Sequence, residues 1–222
     1  MIRHVAVVLL MMGSMTTAGA ETVRLLAAGS LKAAMTEAAN TFEMRNPGAA
    51  VALEFAASGL LRERIEKGEA AHVFASADMG HPSKLAEQGK ASGKPVVFAR
   101  NELCALARPG IAVTTETLLA VLLDPKTRLG ISTPKADPSG DYALALFAEA
   151  DSLKAGARGT LESKALQLTG GPTSPKSPDG SNLYAWVMNS DQADVFLTYC
   201  TNAVLAQKEV PGLRIVQIPT AL

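Results

Sequence analysis

The chain has 222 residues, of which 48% are hydrophobic and 19% are charged, so we expect it to fold around a core rather than remain disordered. Its 21 basic residues balance 21 acidic ones, and this neutrality excludes electrostatic binding of nucleic acid as the main function. Aromatic residues make up only 5%, too few for a base-stacking platform or for a sugar-binding cleft lined with rings.

The first 20 residues have the pattern of a secretory signal. Arg3 and His4 precede an apolar run over residues 5–12, and small residues follow as far as Ala20, which is the order of a signal peptide with its cleavage site. The apolar run is too short to span a bilayer, and no second long apolar stretch follows. We therefore expect residues 1–20 to be removed and the remaining chain to be soluble and exported. An N-terminal core helix or a membrane anchor is the alternative.

After the signal, short apolar runs alternate with segments of helical periodicity. The pattern predicts strands over residues 22–28, 50–56 and 73–76, and helices over residues 31–42, 60–67 and 82–88. This β-α-β-α-β order is typical of a parallel, doubly wound α/β unit.

The alternation restarts after Pro95. Strands are predicted over residues 96–99, 103–107, 128–132, 194–198 and 213–218, and helices over residues 116–123, 142–150 and 183–189. Residues 169–181 are rich in Gly, Pro and Ser and read as a long loop. Two successive α/β halves predict two lobes with a cleft between them.

Two serines stand where a predicted strand ends and a helix begins. Ser30 follows the first strand, and Ser58 follows the second. In an open parallel sheet, ligands bind beyond the carboxyl ends of the strands. A helix N-terminus at that edge offers free N–H groups and a partial positive charge. The two serines therefore indicate a small-anion site made of neutral donors, unless each serine only caps its helix.

Motifs for catalysis or metal binding are weak. Ser58 is not part of a G-x-S-x-G motif, and the two histidines beyond the signal, His72 and His81, lack metal-ligand spacing. No glycine-rich nucleotide-binding motif occurs. An exported α/β hydrolase that uses Ser58 with one of these histidines is the alternative from another functional class, although nothing in the sequence orients the base.

The two cysteines are a candidate disulfide. Cys104 and Cys200 lie 96 positions apart, and neither is part of a C-x-x-C motif, so redox catalysis and a zinc site are not indicated. In an exported protein an isolated pair can form a disulfide. Two buried free thiols are the alternative.

Several segments of the chain resemble the periplasmic molybdate-binding proteins that serve ABC importers. The matching segments are residues 26–31, 55–61, 65–68, 71–78, 137–143, and 195–199 followed by Ala203. His72 stands where the family usually has Asp. Residues 137–143 are similar to the family's Pro-x-Gly loop, and residues 195–199 to its tyrosine-bearing strand. The resemblance covers most of the chain after the signal, and it is strong around Ser30 and Ser58.

The resemblance implies an α/β, two-lobed periplasmic binding protein of type II, with parallel-type mixed sheets and a ligand cleft between the lobes. Residues 21–100 together with 204–222 would form the first lobe, and residues 101–203 the second. The resemblance also implies a monomeric periplasmic receptor that delivers a tetrahedral oxyanion, molybdate or tungstate, to the membrane permease of an ABC transporter. It implies no cofactor, no catalysis and no nucleic-acid partner.

The same resemblance implies a set of neutral hydrogen-bond donors. The residues in this set are Ser30, Ser58, Ser139, Ser181, Asn182 and Tyr199. Hydroxyls would come from both first-lobe serines and the tyrosine, and backbone N–H groups from Ser139 and from Ser181 or Asn182. The metal would be held only as the oxyanion, through Ser30, Ser58 and Tyr199. Such donors suit a fully ionised oxyanion, and they leave hydrogen phosphate without an acceptor for its proton.

Three features depart from the family's pattern. Asp137 and Asp141 flank Ser139, where a carboxylate that faced the anion would repel it. Either Asp141 points to solvent in the first turn of its helix, or an acceptor here admits a protonated oxyanion such as phosphate, or a different small solute. Cys104 and Cys200 would lie near the crossover between the lobes, which favours a disulfide there. The family usually continues with a further strand and helix after the last predicted strand, so we expect uncovered apolar surface on the first lobe.

Overall fold

The computed structural model describes residues 22–178 and 180–222, and the expected signal segment, residues 1–20, lies outside this range. The strands are β1 (Thr22–Ala28), β2 (Ala50–Ala56), β3 (Val73–Ala75), β4 (Leu103–Ala107), β5 (Leu129–Ser132), β6 (Leu166–Thr169), β7 (Val195–Tyr199) and β8 (Arg214–Gln217). The helices are α1 (Lys32–Arg45), α2 (Ser58–Glu66), α3 (Gly80–Glu87), α4 (Leu118–Leu123), α5 (Pro138–Leu153), α6 (Ala157–Lys164), α7 (Leu183–Asn189) and α8 (Cys200–Glu209). Within the described part of the chain, no helix has the length and apolarity needed to cross a membrane.

The first sheet has three parallel strands in the order β2-β1-β3. Ala28 at the end of β1 pairs with Ala56 at the end of β2, and Ala27 pairs with Ala75 at the end of β3. The carboxyl ends of all three strands therefore meet at one edge. The segments that follow these strands begin side by side at this edge.

The second sheet has five strands in the order β6-β5-β7-β4-β8. Strand β5 is parallel to β6 and β7, whereas β4 is antiparallel to β7 and β8. Helices α4, α5 and α6 cover one face, and α7 and α8 cover the other. In β7, Val195 and Leu197 pack in the first of these clusters and Phe196 in the second, as the alternation of side chains along a strand requires. The α/β class and the mixed sheets predicted from the sequence are confirmed.

The predicted strand over residues 96–99 is not formed. Val96, Val97 and Phe98 are 76%, 58% and 55% exposed, and among the described residues β3 is paired only with β1. A β-branched and aromatic run is compatible with a strand, but a strand also needs a partner. Three elements that the periodicity did not predict are present, namely α6, β6 and α8.

The end of the chain belongs to the second sheet rather than the first. The sequence groups residues 204–222 with the first lobe, but β8, which lies in this range, pairs with β4. Helix α8 packs against the same sheet. A strand's apolar pattern reports its burial and not its neighbour, so the sequence could not place this strand.

The disulfide expected between Cys104 and Cys200 is present, with a Cα–Cα distance of 4.9 Å. Cys104 is fully buried on β4, and Cys200 is the first residue of α8. The backbone N–H of Cys200 also donates to the Glu102 carbonyl at 2.8 Å. The disulfide therefore links β4 to the residue that directly follows Tyr199.

Candidate functional site

A serine follows each of the three parallel strands of the first sheet. Ser30 follows β1, Ser58 comes two residues after β2, and Ser76 directly follows β3. Because the carboxyl ends of these strands meet at one edge, the three serines lie along it. Ser76 was missed because the predicted third strand extended through it. The signal that could have found it is the one used for the other two, a serine at the end of a parallel strand.

The helices that start at this edge have open N-termini. Neither α1 nor α2 has an acidic residue in its first turn, and neither has a side chain that caps it. The positive ends of both helix dipoles therefore lie at the edge of the sheet, although the Lys32 N–H already donates to the Gly29 carbonyl and the Gly59 N–H to the Ala136 carbonyl. Such a terminus favours an anionic group by roughly 0.3–1 kcal/mol when exposed.

Ser58 does not cap α2, which corrects the capping alternative. It is fully buried and is itself the first residue of the helix, the cap position being Ala57. Its hydroxyl oxygen instead accepts from the backbone N–H of Ala77, at 3.0 Å. A hydroxyl that accepts one hydrogen bond still has its own proton to donate.

Ser30 does not cap α1 either. It lies in the 3-10 turn Gly29–Leu31 that precedes α1, and the cap position is Leu31. The side chain is partly buried, and its hydroxyl makes no hydrogen bond to residues 22–178 or 180–222. Both donors that the sequence predicted in the first lobe therefore keep a hydroxyl proton that no described residue accepts.

Tyr199 reaches the first lobe from the end of β7. It is 4% exposed, and its hydroxyl donates to the Ala77 carbonyl at 3.3 Å. Burial raises the pKa of Tyr199 well above its ordinary value, and the nearby Tyr142 adds to this effect, so the phenol stays protonated. Ser58 and Tyr199 thus contact the same residue: Ser58 accepts from the N–H of Ala77, and Tyr199 donates to its C=O.

A second contact joins the lobes beside Ser58. The backbone N–H of Gly59 donates to the Ala136 carbonyl at 2.8 Å. A Cβ atom added to Gly59 would lie 2.5 Å from the Lys135 carbonyl oxygen and 2.7 Å from that of Ala136. Only glycine therefore permits the first turn of α2 to approach this loop so closely.

Ser139 faces the interior of its own lobe. It is fully buried, and its backbone N–H donates to Asp137 Oδ1 at 3.0 Å. Its hydroxyl lies within hydrogen-bond distance of Asp137 Oδ1 and of Ser132 Oγ, and Ser132 in turn contacts Thr169. Asp137 is the N-cap of α5. The backbone donor that was expected to contact an anion is therefore occupied by the protein's own carboxylate.

Ser181 and Asn182 are also satisfied within the second lobe. The side chain of Asn182 caps α7, and its backbone N–H donates to Glu209 Oε2 at 2.8 Å. The backbone N–H of Ser181 donates to the Pro178 carbonyl at 3.0 Å. Among the described residues, these contacts place neither donor beside Ala77.

The two lobes therefore differ in their electrostatics. In the first lobe, the N-termini of α1 and α2 carry neither a side-chain cap nor an acidic first turn. In the second, α5 and α7 are capped by Asp137 and Asn182. Asp141, the other acidic residue beside Ser139, is exposed and accepts from the Lys135 N–H at 3.0 Å, which agrees with the expectation that it points to solvent.

A cleft of about 1170 Å³ opens beside Tyr199. Residues 71–79 and 90–103 line it, together with Tyr142 and Tyr199, whose ring centroids are 6.1 Å apart. Ser76 and Ala77 belong to this lining, whereas Ser30, Ser58 and Ser139 do not. The cleft thus meets the candidate site at Ala77 and Tyr199 and continues along the open edge of β3.

The residues of the hydrolase alternative make other hydrogen bonds within the described part of the chain. His72 accepts from the Arg24 N–H at 2.8 Å through Nδ1, and the hydroxyl of Ser58 is engaged by Ala77. Among the described residues, no group of three or more His, Cys, Asp or Glu side chains could hold a metal ion.

Comparisons with known sequences identify a family. A model of the bacterial extracellular solute-binding proteins matches residues 23–222. An uncharacterized protein of Pasteurella multocida is 39% identical over 181 residues, which are 81% of this chain and 74% of that relative. The molybdate-binding protein ModA of Mycobacterium tuberculosis is 37% identical over 94 residues, which span 42% of this chain and only 36% of that relative.

Solved structures show the same fold. The periplasmic molybdate-binding protein of Azotobacter vinelandii has a TM-score of 0.60 at 22% identity, covering 80% of this chain and 71% of its own. The sulfate-binding protein SubI of M. tuberculosis has a TM-score of 0.68 at 16% identity, covering 89% of this chain and 71% of its own. The chain therefore belongs to the family of bacterial extracellular solute-binding proteins and has the type II periplasmic binding protein fold.

Proposed function

We propose that the protein is the periplasmic receptor of an ABC importer and binds a small tetrahedral oxyanion, molybdate or tungstate, between its lobes. The observation that carries this proposal is the meeting of Ser58 and Tyr199 on the backbone of Ala77, beside the uncapped start of α2. Residues 1–20 would be the export signal, and the receptor would act as a monomer that docks on a membrane permease.

The donor chemistry fits a fully ionised oxyanion. Ser30 and Ser58 offer hydroxyl protons, and the N-termini of α1 and α2 add the positive ends of their helix dipoles. The Tyr199 hydroxyl donates to the Ala77 carbonyl, so it would have to leave that carbonyl to donate to the anion. Every oxygen of molybdate accepts and none donates, so each donor finds a partner. Neutral donors and helix dipoles hold a dianion without a buried Lys or Arg, which avoids desolvating a second charge. These donors would contact the oxygens and not the metal atom.

The named relatives support the ligand class. One sequence relative and one structural neighbour are molybdate-binding proteins, and another neighbour is a sulfate-binding protein. Molybdate and sulfate are both tetrahedral and fully ionised at neutral pH, so both are bound by the same kind of hydrogen-bond donors. Discrimination between them would rest on the size of the cavity.

Phosphate is a second candidate because of Asp137. This carboxylate occupies the Ser139 N–H, and it places an acceptor where the family resemblance predicted a donor. An acceptor can receive the proton that hydrogen phosphate keeps near neutral pH.

The test of the proposed function is calorimetric titration of the mature protein with molybdate, tungstate, sulfate and phosphate in turn. We expect micromolar or tighter binding of molybdate and tungstate. Tight binding of phosphate alone would move the assignment to the second candidate. Failure of all four anions to bind would overturn the oxyanion proposal.

The variant Gly59→Ala is expected to weaken oxyanion binding by roughly five- to 140-fold, because the added methyl group would collide with the backbone of Lys135 and Ala136. This range corresponds to the about 1–3 kcal/mol that overpacking costs at a close contact. Calorimetry measures the affinity, and small-angle scattering of the loaded protein reports whether the lobes stay apart. Gly159→Ala is the matched control, because a methyl group there meets no atom within 4 Å. Equal affinity in the two variants would contradict the prediction.

A further inference from the structure

The disulfide holds the chain on both sides of Tyr199. Thr198, directly before it, pairs with Cys104 in the antiparallel ladder of β4 and β7. Cys200, directly after it, is covalently bonded to the same Cys104. Tyr199 is therefore the single residue between two attachments to Cys104, one of which is a ladder pairing and the other a covalent bond.

The ladder alone would hold Tyr199 less firmly, because Tyr199 is the last residue of β7. Pairing at the end of an element opens more easily than pairing in its middle. The chain turns at this point into α8, of which Cys200 is the first residue. The Cys200 N–H donates to the Glu102 carbonyl at 2.8 Å, and the disulfide adds a covalent bond at the same residue. The disulfide thus fixes the direction in which the chain leaves Tyr199.

The contact that Tyr199 makes with the first lobe is sensitive to its position. Its hydroxyl donates to the Ala77 carbonyl at 3.3 Å, whereas O–H···O hydrogen bonds are usually about 2.5–3.0 Å long. A further displacement of roughly half an ångström would therefore break this bond. The ring is 4% exposed and packs edge-on against Tyr142. The place where the end of β7 lies thus decides whether the hydroxyl reaches the first lobe.

We propose that the disulfide between Cys104 and Cys200 positions the Tyr199 hydroxyl at the contact between the lobes, and that full oxyanion affinity requires the oxidised pair. This inference rests on the proposed function, because the hydroxyl contributes to affinity only if the oxyanion binds between the lobes. The two cysteines are positioning residues, which act through Tyr199 and do not contact the anion. Their role therefore goes beyond the stability that any disulfide adds to a fold.

The oxyanion affinity of the reduced protein tests the inference. The wild-type protein is reduced, freed of reductant by gel filtration without oxygen, and titrated with sulfate and with molybdate in a calorimeter. We expect the affinity to fall by about fivefold or more relative to the oxidised protein, which is the loss of one neutral hydrogen bond. The variant Cys104→Ala with Cys200→Ala should show the same loss, and it contains no thiol that could reoxidise. Equal affinity in the oxidised and reduced proteins would overturn the inference.

The variant Tyr199→Phe separates positioning from general stabilisation. It keeps the ring and removes only the hydroxyl, so it should itself lower the affinity by about fivefold or more. Reducing the disulfide in this variant should then change the affinity by less than about twofold, because the group that the disulfide positions is gone. A loss on reduction that is as large in Tyr199→Phe as in the wild-type protein would contradict the proposal.

Leu161→Ala is the matched control for lost stability. Leu161 is fully buried on α6, a helix that packs on α4 and α5, so its truncation should destabilise the second lobe about as much as loss of the disulfide. The oxyanion affinity of this variant should equal that of the wild-type protein at a temperature where both are folded. A comparable loss of affinity in Leu161→Ala would show that reduction acts through stability, and the inference would fail.

A fluorine resonance tests the position of Tyr199 without any ligand. The chain has three tyrosines, and in protein labelled with 3-fluorotyrosine the variant Tyr199→Phe identifies the resonance of Tyr199. We expect reduction to shift this resonance toward its position in the unfolded protein. A resonance that stays in place would overturn the inference and leave oxyanion binding intact. Failure of every oxyanion to bind the oxidised wild-type protein would instead overturn the proposed function, so the two failures are distinguishable.

Discussion

Replacing Cys104 and Cys200 together by alanine is expected to lower the free energy of unfolding by about 2–5 kcal/mol. The disulfide closes a loop between residues 96 positions apart, and strands β4 to β7 all lie within it or at its ends. Restricting so long a segment removes many conformations from the unfolded chain, which is the source of the stabilisation in the chain-entropy account. Urea unfolding followed by circular dichroism measures the change.

The reduced wild-type protein is the control for this variant. Reduction removes the same cross-link without shortening either side chain, so the two proteins should agree to within about 1 kcal/mol, the cost of small repacking at Cys104. Labelling of free thiols in unfolded, unreduced protein should find none. Two labelled thiols, or a double variant as stable as the oxidised protein, would contradict the prediction.

The double variant Ser30→Ala with Ser58→Ala is expected to lose about 1–3 kcal/mol of oxyanion binding free energy for each serine. Each hydroxyl has a proton that no described residue accepts, and each lies beside an uncapped helix start. Each serine should therefore account for at least about a fivefold loss of affinity, as calorimetric titration with molybdate would measure. The two contributions should be close to additive only if the anion contacts both hydroxyls independently.

Ser163→Ala is the matched control for the two serines. Ser163 is exposed on α6, and its hydroxyl bonds only the Thr160 carbonyl at 2.9 Å among the described residues, so its removal should leave the affinity unchanged. Ser58→Ala also leaves the Ala77 N–H without its acceptor, which a lower unfolding free energy in that single variant would reveal. Affinity in the double variant equal to that of the wild type would place the site elsewhere.

Several elements were predictable because local patterns determine them. The first two strands and the strand over residues 103–107 have the predicted bounds, since each is a short apolar run closed by polar or turn-forming residues. Helix α5 begins four residues before its predicted start, because Asp137 caps it and Pro138 occupies its first position. The prediction of a strand over residues 96–99 was wrong, because a strand forms only beside a neighbouring strand, and the local sequence pattern does not specify that neighbour.

The sequence by itself determined the α/β class, the two successive halves, the serines at the ends of parallel strands and the family. These follow from periodicity, from residue types at strand ends and from similarity along the chain, all of which are local in sequence. Only the tertiary structure decided which donors are available. It brings Tyr199 onto a carbonyl 122 positions away, and it gives the N–H groups of Ser139 and Asn182 to carboxylates of this chain. The physical reason is that a hydrogen-bond partner distant in sequence is selected by how the sheets and helices pack, and packing is not encoded in any single segment.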